Sequence, residues 1–123
     1  MSRTSRTDLI HAVFAAYTSA DRKALEDALA DDFVFTSPYD DEIGKATYFE
    51  RCWPSGLRIE RRDLVRIFVE GEEAFVTYKC VAKNGKTFRN TEFFTFAGDR
   101  ISRIDVYFGA TYRDGEFLKL PSP

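Results

Sequence analysis

One carboxylic acid lies within a run of aromatic residues, where a charged side chain would be costly to bury. The run Thr91-Glu92-Phe93-Phe94-Thr95-Phe96 predicts a strand, and its period of two places Glu92 on the same face as Phe94 and Phe96. If that face lines an apolar cavity, burial raises the pKa of Glu92 and leaves a neutral acid that can donate a hydrogen bond. The alternative is a rim residue paired with a lysine or an arginine. Glu92 is therefore a candidate catalytic residue, and Phe94 is a candidate ligand contact.

Tyr17 is the second residue with chemical potential. Ile10, Val13 and Phe14 recur at helical spacing with Tyr17 and predict a helix over residues 7–18. A tyrosine and a neutral carboxylic acid that converge in an apolar cavity can both donate to a developing enolate. The alternative is a core aromatic residue whose hydroxyl is satisfied by the protein. We consider Tyr17 a candidate catalytic residue.

The rest of the first half supplies elements that could position these side chains. Apolar spacing predicts a second helix over residues 21–30, and β-rich composition predicts a strand over 33–36. Residues 40–42 are acidic and predict a polar loop. A third short helix is expected over 44–52, ended by the pair Trp53-Pro54.

The second half has the composition of a β-meander. Four long strands are predicted over residues 57–69, 74–82, 87–97 and 101–112, separated by glycine-containing turns. Asn84-Gly85 is typical of a type I′ hairpin turn, because both central positions need positive φ. Strands joined by tight turns are antiparallel, so helices followed by a meander indicate an α+β domain with helices on one sheet face.

Length and composition favour one globular domain over residues 1–123, with 113–123 as a peripheral tail. The hydrophobic content of 44% excludes disorder, and the net charge of -2 gives no reason to expect a nucleic acid partner. We see no signal peptide and no apolar run that could span a bilayer, so a cytoplasmic protein without membrane contact is expected. Cys52 and Cys80 do not indicate a disulfide framework.

Other motifs with known chemistry are not found in the sequence. The single histidine, His11, excludes metal patterns that need two histidines, and no phosphate-binding or dinucleotide-binding glycine motif occurs. Neither a metal nor a cofactor is therefore expected. Arginines 58, 61, 62 and 66 are interrupted by acids and are interpreted as a salt-bridged strand surface.

Four segments together resemble the nuclear transport factor two-like superfamily, which includes the ketosteroid isomerases and the SnoaL-like cyclases. They are residues 29–38, 14–17, 91–96 and 104–109. The resemblance implies a cone-shaped, cystatin-like fold in which three N-terminal helices pack on a strongly curved, mostly antiparallel sheet. It also implies a homodimer through the convex face, where exposed aromatics such as Phe93 and Tyr107 would be buried.

The resemblance also assigns roles to individual positions. Tyr17 matches the isomerase tyrosine that donates to the substrate oxyanion, and Glu92 matches the second, acidic donor. Ser37 stands where the isomerases have their catalytic aspartate, and Gly109 stands where SnoaL-like cyclases often have an acid. Steroid isomerisation is therefore not expected.

Four further residues are candidate ligand contacts, each with a simpler alternative. Ser37 could position a ligand or water, or could be a turn residue before a proline. Asp40 could replace the missing base, although a solvated loop residue is the simpler interpretation. Tyr48 and Trp53 belong to the segment that covers the mouth of the cone in the superfamily, and could be ligand walls or plain core.

Two functional classes remain open after this comparison. One is a cofactor-independent isomerase, dehydratase, cyclase or hydrolase that acts on a small apolar molecule. The other is a non-catalytic module that uses the same fold for ligand binding or dimerisation. The sequence favours a small-molecule pocket over any particular reaction.

Overall fold

The computed structural model describes residues 5–118, which form four helices and a seven-stranded sheet. The helices are α1 (Arg6–Thr18), α2 (Arg22–Ala28), α3 (Lys45–Arg51) and α4 (Trp53–Gly56). The strands are β1 (Leu29–Ser37), β2 (Asp40–Gly44), β3 (Ile59–Glu70), β4 (Glu73–Ala82), β5 (Thr87–Ala97), β6 (Arg100–Arg113) and β7 (Glu116–Leu118).

The sheet is curved and mixed, and it does not close into a barrel. Its strand order is β2-β1-β6-β5-β4-β3, with β7 paired to the end of β6. Among the strand pairs within residues 5–118, only β1–β6 is parallel, because α3, α4 and the meander intervene between these two strands. The predicted α+β class, with helices beside a mostly antiparallel sheet, is confirmed.

Strict alternation along the central strands determines which side chains enter the core. On β4, Ala74, Val76, Tyr78 and Cys80 are buried, while Phe75 between them is half exposed. The concave face buries these residues against α1 and α3, and it forms one continuous core with them. The predicted faces of β5 are confirmed, because Phe94 and Phe96 are buried on the side that carries Glu92.

Two long basic side chains attach the helices to the sheet. Arg6, at the start of α1, donates to the carbonyl of Gly98 at 2.8 Å and pairs with Glu72 at 2.7 Å. Lys45, at the start of α3, donates to the carbonyls of Glu26 and Leu29 at 2.8 and 2.9 Å. The Lys45 ammonium adds a donor at the C-terminal end of α2, where the Glu26 carbonyl already accepts from the N–H of Leu29 and a positive charge is favourable.

Tertiary pairing changes the predicted boundaries around β1. Helix α2 ends at Ala28 rather than residue 30, and β1 begins at Leu29 rather than residue 33. Leu29 already has extended dihedral angles and pairs with Ile101 of β6. Strand pairing therefore outweighs the helical propensity of the two residues after Ala28.

The prediction of a polar loop over residues 40–42 is wrong. These residues begin β2, which pairs with β1 after the turn at Pro38, and Asp40 is only 8% exposed. After α3 the chain forms the additional short helix α4, where Pro54 occupies a first-turn position that needs no N–H donor. In the predicted tail, residues 116–118 pair with β6, and residues 119–123 lie outside the described chain.

Gly109 allows an unusually close approach of β5 and β6. A Cβ at this position would lie 2.3 Å from the carbonyl oxygen of Arg89, where the ladder between the two strands is irregular. We expect Gly109→Ala to lower the free energy of unfolding by about 2 kcal/mol or more, because the contact is with backbone that cannot rotate away. Urea denaturation measures this change.

Gly44→Ala is the matched control for this substitution. A Cβ at Gly44 meets nothing within 4 Å, and the residue precedes α3 as its N-cap. The control should therefore cost less than about 1 kcal/mol, the usual loss on changing an N-cap. Equal stability of Gly109→Ala and the natural protein would contradict the close approach.

Candidate functional site

A cavity of about 420 Å³ lies between the helices and the concave face of the sheet. Five of the seven predicted site residues line it, contributed by α1, β1, β2, α3 and β5. They are Tyr17, Ser37, Asp40, Tyr48 and Glu92. The cavity wall is otherwise mainly apolar and aromatic, which is the usual composition of a small-molecule site.

The carboxyl group of Glu92 is the most perturbed acid of the cavity. The hydroxyl of Tyr78, on the adjacent strand β4, donates a hydrogen bond to Oε2 of Glu92. Burial raises the pKa of Glu92 to about 7, although the Tyr78 hydrogen bond and the nearby Arg62 guanidinium both act to lower it. Near neutral pH, Glu92 therefore exists in both its neutral and its charged form.

Tyr17 and Tyr48 form a hydroxyl pair on the helical side of the cavity. Their oxygens are 2.5 Å apart, so one hydroxyl donates to the other and the second keeps its hydrogen free. Burial raises the pKa of both phenols well above the ordinary value, and both remain neutral donors. The Tyr17 ring contacts two neighbours. Its centroid lies 4.9 Å from that of the Trp53 ring and 4.8 Å from Cζ of the Arg62 guanidinium.

Trp53 and Phe94 do not line the cavity. Trp53 lies behind Tyr17 and also contacts Phe49, so it supports the wall rather than forming it. Phe94 is fully buried between Ala74 and Ile104, one residue pair further from the mouth than Glu92. Both side chains are core residues, even though Phe94 shares its strand face with Glu92.

Asp40 anchors a polar cluster at another part of the cavity wall. Its Oδ2 accepts from Ser37 Oγ at 3.2 Å, and Cys52 Sγ lies 3.8 Å from the same oxygen. Arg51 forms an ion pair with Oδ1 at 2.9 Å. Burial, followed by the Asp40 charge, raises the pKa of Cys52 to about 12, so this thiol is not a thiolate nucleophile.

The polar cavity residues that sequence analysis missed include three on the long strands of the sheet: Arg62, Tyr78 and Asn90. Counting by two from Glu92 and Val76 finds Asn90 and Tyr78, since each shares the inner face of its own strand. Counting by two from Ile59, at the start of β3, does not find Arg62. The irregularity between Ile59 and Arg61 shifts the alternation of β3, so Arg62 turns inward and donates to the carbonyl of Gly56 at 2.7 Å.

No group of three metal-ligating side chains occurs within residues 5–118. His11 is exposed on α1, away from the cavity residues described above. Among the helices described, none has the length and apolar character required to cross a membrane.

The sequence profile of the SnoaL-like domain matches residues 10–104, which is most of the chain. The chain belongs to the SnoaL-like domain family. No curated protein matches the sequence. The match to the SnoaL-like domain confirms the predicted membership of the nuclear transport factor two-like superfamily.

Solved structures show the same fold at low sequence identity. A nuclear transport factor two-like protein of unknown function from Cytophaga hutchinsonii has a TM-score of 0.70 and 21% identity, covering 87% of this chain and 92% of its own. A provisionally named polyketide cyclase from Sinorhizobium meliloti has a TM-score of 0.67 and 23% identity, covering 80% and 93%. A provisionally named ketosteroid isomerase from Kribbella flavida has a TM-score of 0.70 and 15% identity, covering 93% and 88%. These likenesses confirm the predicted cone-shaped fold.

The raised pKa of Glu92 makes the stability of this SnoaL-like domain depend on pH. The folded pKa is about 7 and the ordinary value is 4.5, so the unfolded chain releases this proton first as the pH rises. The free energy of unfolding should therefore fall between about pH 4.5 and about pH 7 and then level off. Urea denaturation across this range should show the fall in the natural protein and a flatter profile in Glu92→Gln.

Two further variants sharpen this test. Tyr78→Phe removes a donor that lowers the pKa of Glu92, so the fall in stability should extend to higher pH. Glu73→Gln changes an exposed carboxyl group on β4 and should keep the natural profile. A profile of Glu92→Gln that matches that of the natural protein would contradict the burial of the Glu92 charge.

Proposed function

We propose that the cavity binds a small, mainly apolar carbonyl compound and that Glu92 transfers a proton to and from a carbon next to the carbonyl group. The observation that most directly supports this proposal is that Glu92 has a carboxyl group with a pKa of about 7 in a largely apolar cavity. A general base or acid works best when its pKa lies near the working pH. The labels of structural neighbours as a cyclase and an isomerase accord with this class of reaction.

The proposed step uses Glu92, whose pKa lies near neutral pH, and two tyrosines that remain uncharged. Ionised Glu92 accepts the α proton, and the electron pair of the broken C–H bond forms an enolate. The Tyr17–Tyr48 pair keeps one hydroxyl hydrogen free, and that hydrogen can be donated to the enolate oxygen. Protonated Glu92 then returns the proton to the same carbon or to another one.

Arg62, after the Tyr78 hydroxyl, favours the ionised form of Glu92 in this site. Burial alone disfavours a carboxylate, and the Arg62 guanidinium partly offsets that cost. The same guanidinium stacks on Tyr17 at 4.8 Å, so it also holds the proposed donor in position. Arg62 is thus a positioning residue for both partners.

Non-catalytic ligand binding is the second candidate function. Ser37 replaces the aspartate on which the isomerase resemblance depends, and Gly109 has no room for a side chain. If these positions were the sole sources of a base in the family, this chain would bind its ligand without turning it over. The two candidates differ in whether Glu92 exchanges protons with the ligand.

Deuterium exchange into 2-tetralone tests the proposed proton transfer. This ketone is small and mainly apolar, and its α carbon is acidic. In D₂O near neutral pD, the natural protein should exchange the α proton about 10²- to 10⁴-fold faster than Glu92→Gln, the usual contribution of a general base. Proton NMR measures the loss of the α signal.

Glu73→Gln and ligand-observed NMR complete this experiment. The exposed Glu73 carboxyl group should be dispensable, so Glu73→Gln should retain the natural exchange rate. Binding of 2-tetralone to both the natural protein and Glu92→Gln, with equal exchange rates, would favour the non-catalytic candidate. Failure of 2-tetralone to bind either protein would count against the proposed ligand class.

We also infer that a second copy of the chain covers the convex face of the sheet. Phe68, Phe75 and Phe93 lie side by side across β3, β4 and β5 on this face, and Tyr107 of β6 is nearby. The exposed fractions of Phe68, Phe75 and Tyr107 are 68%, 50% and 60%. Contiguous exposed aromatic residues of this kind mark association surfaces.

The expected oligomer is a symmetric dimer, because a self-complementary face closes after two copies. Phe75→Glu should convert it to a folded monomer in sedimentation velocity, since two buried carboxylates would face the partner's aromatic residues. Phe117→Glu changes an aromatic residue of similar exposure on β7, outside this row, and should leave the dimer intact. A natural protein that sediments as a monomer at high concentration would contradict the inference.

A further inference from the structure

Asn90 is a buried polar residue at the junction of two chambers. Its exposed fraction is 7%, and it lines the main cavity beside Tyr78 and Glu92. It also lines a second hollow of about 180 Å³, which it shares with the aromatic side chains of Tyr39, Phe88 and Phe108. A group bound at Asn90 would therefore be in reach of both chambers.

The hydrogen bonds of Tyr78 determine how the Asn90 amide is oriented. The single hydroxyl hydrogen of Tyr78 is donated to Glu92, so its oxygen can act toward Asn90 only as an acceptor. Asn90 Nδ2 donates to that oxygen at 3.3 Å. The amide oxygen Oδ1 points elsewhere, and it is buried without any hydrogen-bond donor among the residues of the described chain.

A buried carbonyl oxygen without a donor is costly. Such a group loses its hydrogen bonds to water and gains none from the protein in return. Because the last torsion of an asparagine side chain is soft, a small rotation can direct Oδ1 toward a bound molecule without changing the rotamer. A ligand that brings its own donor to this point removes the cost.

We propose that Asn90 determines ligand specificity, and that the natural ligand presents a hydroxyl or amide N–H donor to Asn90 Oδ1 while an adjoining apolar part fills the hollow lined by Phe88 and Phe108. This inference rests on the proposed function, since it specifies a second polar group on the molecule bound in the same cavity. It narrows the ligand from an apolar carbonyl compound to one that also carries a donor.

Through the same hydrogen bonds, the protonation state of Glu92 determines whether Asn90 prefers a ligand that donates or one that accepts a hydrogen bond. Protonated Glu92 donates to Tyr78, which frees the Tyr78 hydrogen for the amide oxygen of a reoriented Asn90. The amide N–H groups of Asn90 then occupy the former position of Oδ1, so the site prefers a ligand group that accepts a hydrogen bond. The preference for donor ligands therefore holds when Glu92 is ionised.

Glu92 is the group expected to titrate in this arrangement. The titratable or charged side chains near it are Tyr17 from α1, Tyr48 from α3, Arg62 from β3, and Tyr78 and Cys80 from β4. Burial raises the pKa of the three phenols well above 10, and that of Cys80 to about 12. The guanidinium of Arg62 favours the ionised form of Glu92.

A matched pair of probes tests the donor requirement. 2-Naphthol carries a hydroxyl donor, and 2-methoxynaphthalene has the same rings without one. At about pH 8.5, where Glu92 is mostly ionised, the natural protein should bind 2-naphthol about tenfold more tightly, the effect of one satisfied buried acceptor. Isothermal titration calorimetry measures both dissociation constants.

Two variants and a second pH identify the residue responsible. Asn90→Leu has a similar shape but no acceptor and should bind the two probes within about twofold, while Phe108→Leu should weaken both and retain the preference. At about pH 5.5 the preference of the natural protein should disappear. Equal binding of both probes by the natural protein at about pH 8.5 would overturn the role of Asn90 and leave the proposed function standing.

Failure of the proposed function would give a different result in the binding experiment. If neither probe binds the natural protein, the small-molecule cavity and its Asn90 subsite are both contradicted. The orientation of Asn90 is tested without any ligand by following its side-chain amide in ¹⁵N NMR during a pH titration. That signal should follow the Glu92 carboxyl titration in the natural protein and lose this dependence in Tyr78→Phe, whereas a signal insensitive to Glu92 would overturn the proposed relay.

Discussion

The alternation of side chains on β4, β5 and β6 is the constraint from which the rest of the structure follows. Three cross-strand rows form the concave face, and they become more polar toward the mouth of the cavity. The rows are Ala74–Phe94–Ile104, Val76–Glu92–Val106 and Tyr78–Asn90–Phe108. Because the first row is apolar and fully buried, it supplies a base on which the helices close. The next two rows then carry Glu92, Tyr78 and Asn90, the polar groups that β4, β5 and β6 contribute to the cavity described here.

Glu92 is a local exception to the apolar character of this face, and its neighbours compensate for it. Tyr78 donates to it from a diagonal position on the next strand, a separation that long side chains can span. Arg62 contributes a positive charge from β3. These contacts reduce the cost of burying the carboxyl group but do not abolish it, so its pKa remains near neutrality. Exceptions of this kind are concentrated at functional sites, because a fold retains them at a cost to its stability.

The local sequence pattern predicted the fold better than it predicted which residues line the cavity. The period of β5 placed Glu92 and Phe94 on the correct face, but it could not say how far along the strand the core ends and the cavity begins. That limit depends on which helical residues lie above each row, and this is a tertiary property. Arg62 was interpreted as part of a salt-bridged strand surface because acids interrupt its arginine cluster, but beyond the irregularity near the start of β3 it shares the inward face with Leu64. Asp40 was expected in solvent because its burial depends on Arg51 and Ser37, and no spacing rule connects these residues.

The structure also shows what surrounds the two positions at which the sequence resemblance leads one to expect an acid. Gly109 is fixed by the backbone, since a side chain would collide with the Arg89 carbonyl, and an acid cannot be restored there without moving two strands. Ser37 has a carboxylate within hydrogen-bonding distance, but both oxygens of Asp40 are engaged, one by Arg51 and the other by Ser37. A carboxylate that is already held by an ion pair and a hydroxyl donor has fewer lone pairs left for a ligand. Glu92 receives its hydrogen bond from the Tyr78 phenol, and burial raises its pKa to about 7. For this reason we assign the proposed proton transfer to Glu92 on β5 rather than to Asp40 on β2.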